Sequence, residues 1–183
     1  MIIALSGPSG IGKGYLKNGF KTKYPTAREI VWITTRPLRK DEIGITNRKQ
    51  VTQNDFKQMD LVLKQENFGN LYGVKRTDLT QTNGLWLTEL HPDNVKKALL
   101  INPAIFTVGL FTKDINLLEE RLSQRRRSET ANEIRRRIAT ATKEIDTILT
   151  NRNQFQMLFE INRQNEHEIL NMFLNAIEKV FDK

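Results

Sequence analysis

Short apolar runs recur along the chain at Ile2–Leu5, Glu29–Ile33, Leu85–Leu87, Ile105–Leu110 and Gln156–Ile161, and most intervening stretches carry apolar residues at helical spacing. Strands alternating with helices are the pattern of an α/β fold, in which a mainly parallel sheet is covered by helices on both faces. Pro25 closes the first helix, since its ring lacks the backbone donor and clashes with the carbonyl four residues back. Thr52 with Asp55 predicts a capping box for a short helix, and Thr130 with Glu133 predicts one for a longer helix reaching about Leu149. Beyond Gln164, the positions of Ile169, Leu170, Phe173, Leu174, Ile177 and Val180 predict a core-packing C-terminal helix.

Between Lys49 and Asn83 the pattern changes. Short extended pieces at Leu61–Leu63 and Leu71–Lys75 flank turn residues from Asn67 to Asn70, which predicts a small insert apart from the parallel sheet. No linker-like tract, repeat or low-complexity segment divides the 183 residues, so one domain is expected. The apolar N-terminus stops at Ser6 and Gly7, far short of the ~20 residues of a membrane span. Neither a signal peptide nor an anchor is expected; without cysteine, redox usage does not report the compartment, and the cytoplasm is the default location.

The formal charge of +8 points to an anionic partner. Much of it lies in one segment, at Arg121, Arg125, Arg126, Arg127, Arg135, Arg136 and Arg137, which suits a small polyanion. Without interleaved aromatics or a binding motif, nucleic acid is not the expected partner. Arg135, Arg136 and Arg137 fall in the early turns of a helix, where its dipole disfavours cations, so something anionic or plain solvent must offset them. His91 and His167 have no partner at metal-ligand spacing, and no metal-binding residues are expected in the chain. Trp32 and Trp86 fall in strands and read as core.

The most specific chemistry is Gly7-Pro8-Ser9-Gly10-Ile11-Gly12-Lys13, which follows the first strand and opens the first helix. In that order a glycine-rich turn curls until successive N–H groups converge on one anion, the helix adds its positive end, and the lysine reaches a terminal phosphate. Gly7 to Gly14 are therefore the expected donor-nucleotide site, for ATP or GTP accompanied by Mg2+. The full motif places Ser or Thr after the lysine as a magnesium ligand, and here Gly14 stands there.

Over most of its length the chain resembles the guanylate kinases. The resemblance is carried by GPSGIGK, by TTRPLRKDE at Thr34–Glu42, GNLYG at Gly69–Gly73, RLSQR at Arg121–Arg125 and SETANEIRRRI at Ser128–Ile138. It implies a P-loop kinase fold with a core (1–33, 84–120, 150–183), an acceptor-binding insert (about 34–83) and a helical lid (about 121–149). It implies transfer of the γ-phosphoryl of ATP to the phosphate of a small acceptor such as GMP, by a monomer or homodimer. The family's acceptor residues map to Arg36, Arg39, Glu42 and Tyr72, and a guanidinium fork suits phosphate oxygens. The catalytic residues implied are Lys13, Arg39, Arg121, Arg126 and Arg137, the arginines stabilising charge on the group in transfer. Near Asn162 the last strand resembles the family's adenine-side wall.

The base pocket departs from the family. Its guanine-binding glutamate falls on Leu63, and its hydroxyl residue after Tyr-Gly falls on Val74. A further tyrosine falls on Arg48, and the aspartates of the central strand fall around Trp86 and Thr88, with Glu89 the nearest carboxylate. A pocket lined by Leu63 and Val74 leaves guanine N–H groups unpaired. In this insert the chain also resembles ribose 1,5-bisphosphate phosphokinases, which share Thr35-Arg36-Pro37, Leu63 and the turn Gly69-Asn70-Leu71-Tyr72-Gly73. Loss of turnover with the hydroxyl at Gly14 is a further alternative.

Overall fold

The structure, a computed structural model, describes residues 1–38, 44, 47–124, 130–163 and 165–181. Its strands are β1 (Ile2–Ser6), β2 (Arg28–Glu29), β3 (Trp32–Thr34), β4 (Arg48–Gln50), β5 (Leu61–Asn67), β6 (Asn70–Lys75), β7 (Trp86–Leu90), β8 (Phe106–Phe111) and β9 (Met157–Glu160). Its α-helices are α1 (Lys13–Lys23), α2 (Gln53–Gln58), α3 (Arg76–Leu79), α4 (Pro92–Ile101), α5 (Ile115–Gln124), α6 (Ala131–Thr150) and α7 (Glu166–Phe181). A five-stranded parallel sheet of order β2-β7-β1-β8-β9, flanked by helices, is the α/β fold the alternating pattern predicts. A second sheet has order β4-β3-β6-β5.

One expectation needs correction. The run Glu29–Ile33 is not one strand: β2 pairs with β7, while β3 pairs with β4 and β6 in the other sheet. The N–H of Ile30 still donates to Leu87, but that of Trp32 donates to Asn47. Apolar continuity reports burial and does not register this change of hydrogen-bonding partner.

The chain divides into two compact units. The first comprises Met1–Ile3, Thr26–Thr88 and Lys96–Ile105. Its four-stranded sheet packs around Ile33, Phe56 and Leu61, with Val31, Val51, Met59 and Leu71 against them. The Thr52–Asp55 capping box is formed and starts α2, which delivers Phe56 to that core. Inside β5 the register shifts between Val62 and Gln65, and Leu63 has φ of 52°. A branched side chain in this left-handed region costs about 1–2 kcal/mol, which its burial offsets.

The second unit comprises Ala4–Pro25, Glu89–Val95 and Phe106–Lys183. α1 ends at Lys23, with Tyr24 as C-cap before Pro25. It buries Leu16 and Phe20, and Phe20 meets Phe173 of α7 at a ring distance of 5.9 Å. The two helices pack closely at Gly19, where a Cβ would lie 2.5 Å from Leu170 Cδ1. The Thr130–Glu133 box caps α6, whose buried face is Ala141, Ile145 and Ile148. Val180, counted on the apolar face of the C-terminal helix, is exposed.

Candidate active site

The phosphate loop lies in the second unit. β1 is buried along its whole length and ends at Ser6, so the chain leaves the sheet at a fixed point. Gly7 has φ of 153°, and a Cβ there would stand 2.6 Å from the Leu110 carbonyl oxygen, closer than any side chain tolerates. Gly10 and Gly12 have φ of 89° and 111°, in the region L-residues avoid. Ile11, fully buried, pins the middle of the loop. Gly12 caps α1 without a side-chain hydrogen bond, and the first turn carries no acidic residue. The helix's leading N–H groups are thus not claimed by a capping side chain, the arrangement that binds anions. The Ser6 hydroxyl, 1% exposed, makes no hydrogen bond although it adjoins this loop. Glycine dihedrals, helix end and lysine together fit a nucleotide's phosphates.

Lys13 Nζ donates to the carbonyls of Gly7 at 2.6 Å and Pro8 at 3.1 Å, so the lysine folds back over the loop it belongs to. Arg121 on α5 reaches the loop's other carbonyls, Gly10 O at 3.4 Å and Ile11 O at 3.3 Å, and pairs with Glu166 of α7 at 2.6 Å. It braces the loop in this arrangement. Arg137 on α6 donates to the Ser9 hydroxyl at 3.4 Å. The early-helix arginines have an anionic neighbour: Glu133, held below the usual carboxylate range by the N–H and hydroxyl of Thr130, with Arg137 and Arg136 adding to the effect. Arg126 lies outside the described residues.

No group of three or more metal-ligating side chains occurs among the described residues. Gly14 offers no hydroxyl, and Glu89 Oε1 lies 2.7 Å from Lys17 Nζ, its Oε2 3.9 Å from Lys13 Nζ. The residues present do not fit a protein-held magnesium ion. Sequence reasoning singled out Glu89 but missed Lys17, whose signal was its place one turn after Lys13 on the same helix face. His91, set aside as a metal ligand, has partners of its own, Glu144 at 3.3 Å on Nε2 and Asp93 at 3.4 Å on Nδ1. Burial opposes charge on this imidazole, but the hydrogen bond with Glu144 and the two carboxylate charges outweigh both burial and Lys13, so its pKa is raised. His167 is exposed.

The residues assigned to the acceptor lie in the first unit. Thr34 pairs with Tyr72 across β3 and β6, and its hydroxyl accepts the N–H of Arg36 at 3.1 Å. Thr35 exchanges hydrogen bonds with Leu71, its N–H donating to the carbonyl at 3.1 Å and its hydroxyl accepting the N–H at 2.9 Å. This double tie brings Arg36 and Tyr72 to the same end of one strand pair. The Arg36 guanidinium donates to Pro37 O at 2.7 Å. Leu63 is 5% exposed and Val74 fully covered, opposite Trp32 and Val62. Trp32 is buried, its indole N–H donating to Thr88 Oγ1 at 3.0 Å, whereas the half-buried Trp86 carries the Arg28 guanidinium 5.6 Å from its ring. Arg39 and Glu42 lie outside the described residues.

No protein-family model matches the chain. It is 31% identical to the guanylate kinase of Lactobacillus delbrueckii subsp. bulgaricus over 153 residues, covering 79% of this chain and 74% of that protein. The chain belongs to the guanylate kinase family. Another family member, from Synechococcus sp. strain JA-3-3Ab, is 29% identical over 174 residues, 87% of this chain and 79% of that one. The crystal structure of guanylate kinase from Anaplasma phagocytophilum superimposes with a TM-score of 0.69 at 18% identity, over 98% of this chain and 85% of that one, a likeness of fold. As a guanylate kinase family member the chain is a nucleotide-kinase-like phosphotransferase. Among the described residues no helix is long and apolar enough to cross a membrane.

Proposed function

We propose that this enzyme transfers the γ-phosphoryl group of ATP to a phosphate already carried by a small acceptor, in the cytoplasm, as a monomer or homodimer. The observation that carries the reading is the phosphate loop: three glycines whose dihedrals exclude side chains, an uncapped helix end and Lys13 above the loop carbonyls. An acceptor phosphate oxygen attacks the γ-phosphorus, the bridging bond to the β-phosphate breaks, and ADP leaves. The step needs charge neutralisation and alignment rather than a covalent intermediate. Lys13 and the loop amides hold the donor phosphates. Arg137, already at Ser9, and Arg126 stabilise charge on the group in flight, while Arg121 keeps the loop in shape from behind. Arg36, Arg39, Glu42 and Tyr72 take the acceptor, in an insert of about 34–83 within one kinase domain whose lid is about 121–149. Magnesium bound to ATP would neutralise the same phosphates, and no protein-ligated metal takes part in this scheme.

The acceptor is GMP or a related nucleotide by family, but the insert supports a second reading. Leu63 and Val74, the positions to which the resemblance assigns the guanine-binding carboxylate and hydroxyl, are apolar and buried, which favours a phosphorylated acceptor with fewer polar demands, such as a ribose bisphosphate. The test is kcat/KM for GMP, other mononucleotides and phosphosugars with ATP and magnesium. Weak turnover of GMP beside efficient turnover of another phosphorylated acceptor is expected. Efficient use of GMP would overturn the argument from Leu63 and Val74, and no transfer to any acceptor would overturn the phosphotransferase scheme.

A further inference from the structure

Glu166 lies outside the transfer scheme, yet it makes the shortest contact with Arg121. The guanidinium meets the phosphate loop through one arm, Nη1, which lies 3.4 Å from Gly10 O and 3.3 Å from Ile11 O. Both contacts are long for an N–H donor and the arm is shared between them. The other arm is held firmly, with Nη2 standing 2.6 Å from Glu166 Oε1, short even for a charge-assisted bond. Because the guanidinium is planar and rigid, fixing Nη2 fixes Nη1. Glu166 is the first residue of α7, where a helix favours an acidic side chain. The preceding Asn165 ties that connector down, its amide donating to Glu160 O and its side-chain oxygen accepting the Asn162 N–H, each at 3.0 Å.

In a planar trans peptide the C=O and the N–H of the next residue point in opposite directions. With the Ile11 carbonyl turned toward Arg121, the Gly12 N–H is sent away from the guanidinium side of the loop. The Ile11 N–H, in the peptide that carries Gly10 O, donates to Pro8 O at 3.3 Å. Arg121 thus aims the last loop amide before α1. The ion pair lies against the same residue: a Cβ at Gly12 would stand 3.6 Å from Glu166 Oε1 and 3.9 Å from Arg121 Nη1.

We propose that Glu166 is a positioning residue of the donor site, acting on the donor phosphates through Arg121 and the Ile11–Gly12 peptide rather than through its own charge. The inference rests on the assignment of the loop to the donor. Charge alone predicts the opposite effect: a carboxylate beside a polyanion site repels the ligand and masks the arginine, so its removal should tighten binding. The Glu166 side chain is 40% exposed and solvent screens that repulsion, which leaves geometry as the larger contribution.

The test is calorimetric titration of the full chain with ATP and magnesium in a double-mutant cycle of Glu166→Ala and Arg121→Ala. Each single variant is expected to weaken ATP binding at least about tenfold, and the double variant to bind within about twofold of Arg121→Ala, since Glu166 then has nothing to act through. Glu166→Ala binding ATP as tightly as wild type, or more tightly, overturns the proposal. So does Arg121→Ala without loss, or a Glu166→Ala loss that persists in the Arg121→Ala background, the mark of a general loosening of α7. These outcomes leave the donor assignment standing, which Lys13→Ala tests separately by weakening ATP whatever stands at position 166. A wild-type protein that binds no ATP at all overturns assignment and proposal together. Should Glu166→Ala melt below the assay temperature, Glu166→Gln takes its place, removing the charge at constant size. It must weaken ATP at least about threefold and only with Arg121 present, and unchanged or tighter binding overturns the proposal. Should Arg121→Ala melt, Arg121→Lys replaces it with the same outcomes, keeping the charge without the planar fork.

Discussion

In the proposed scheme the two units handle phosphate recognition by different physical means. In the second unit the work is done by backbone: glycine dihedrals aim N–H groups, and a helix end supplies the field. In the first the scheme assigns it to side chains, Arg36 and Tyr72 at one end of the β3–β6 pair, in a sheet where Leu63 and Val74 are apolar and buried. A backbone cradle tolerates few changes because a wrong Cβ distorts every donor at once. Side-chain recognition is altered one residue at a time, so an acceptor site built as proposed would change more readily than the donor cradle.

The sharpest way to break this contrast is Gly7→Ala. Its Cβ would meet the Leu110 carbonyl at 2.6 Å in the second unit, an overpacking of about 1–3 kcal/mol, and the loop amides must move. With several charge-assisted bonds disturbed, ATP affinity is expected to fall at least about 100-fold. Calorimetry showing wild-type affinity would mean the loop is not the donor cradle. Arg36→Ala tests the side-chain half: the acceptor KM should rise about tenfold while the KM for ATP stays within about twofold. An unchanged acceptor KM removes Arg36 from the clamp, and a matching rise for ATP removes the distinction between the two sites.

The smallest effect concerns pH. His91 is raised above its ordinary pKa of 6.5, so the stabilisation from its contact with Glu144 is fully present below about pH 6.5 and lost as pH rises through the raised folded value. Glu144→Gln should therefore lower the urea midpoint more at about pH 6 than at about pH 8.5. Equal differences at both would show that the contact does not depend on the proton.

The contrast also explains what could be read from the chain. Gly7, Gly10, Gly12 and Lys13 were legible because backbone geometry demands particular residue types at particular spacings. Both capping boxes were legible for the same reason: Thr52 with Asp55 and Thr130 with Glu133 satisfy local donors across three residues. Contacts made across the fold were not. Nothing local in Glu29–Ile33 marks where pairing passes from one sheet to the other, and nothing near Lys17 announces Glu89. Likewise Leu63 reads as an ordinary strand residue, yet it sits at a register shift with φ of 52°. The resemblance implies a role for Arg121 on the transferred phosphate, but no local pattern announces its reach to the loop carbonyls of Gly10 and Ile11.

That grip has a consequence for the chain's synthesis. Arg121 is held by Glu166, Gly19 by Leu170, Phe20 by Phe173 and Lys23 by Glu178, all four partners lying on α7. The phosphate loop with α1 is translated well before α7, the helix that braces both. Such long-range closure is slow to form, and a nascent chain without α7 leaves Phe20 without its Phe173 contact. A donor cradle of the proposed kind is thus finished only after α7 has been made and docked, so a nucleotide bound there would be a late stabiliser of the folded chain rather than a template for its early folding.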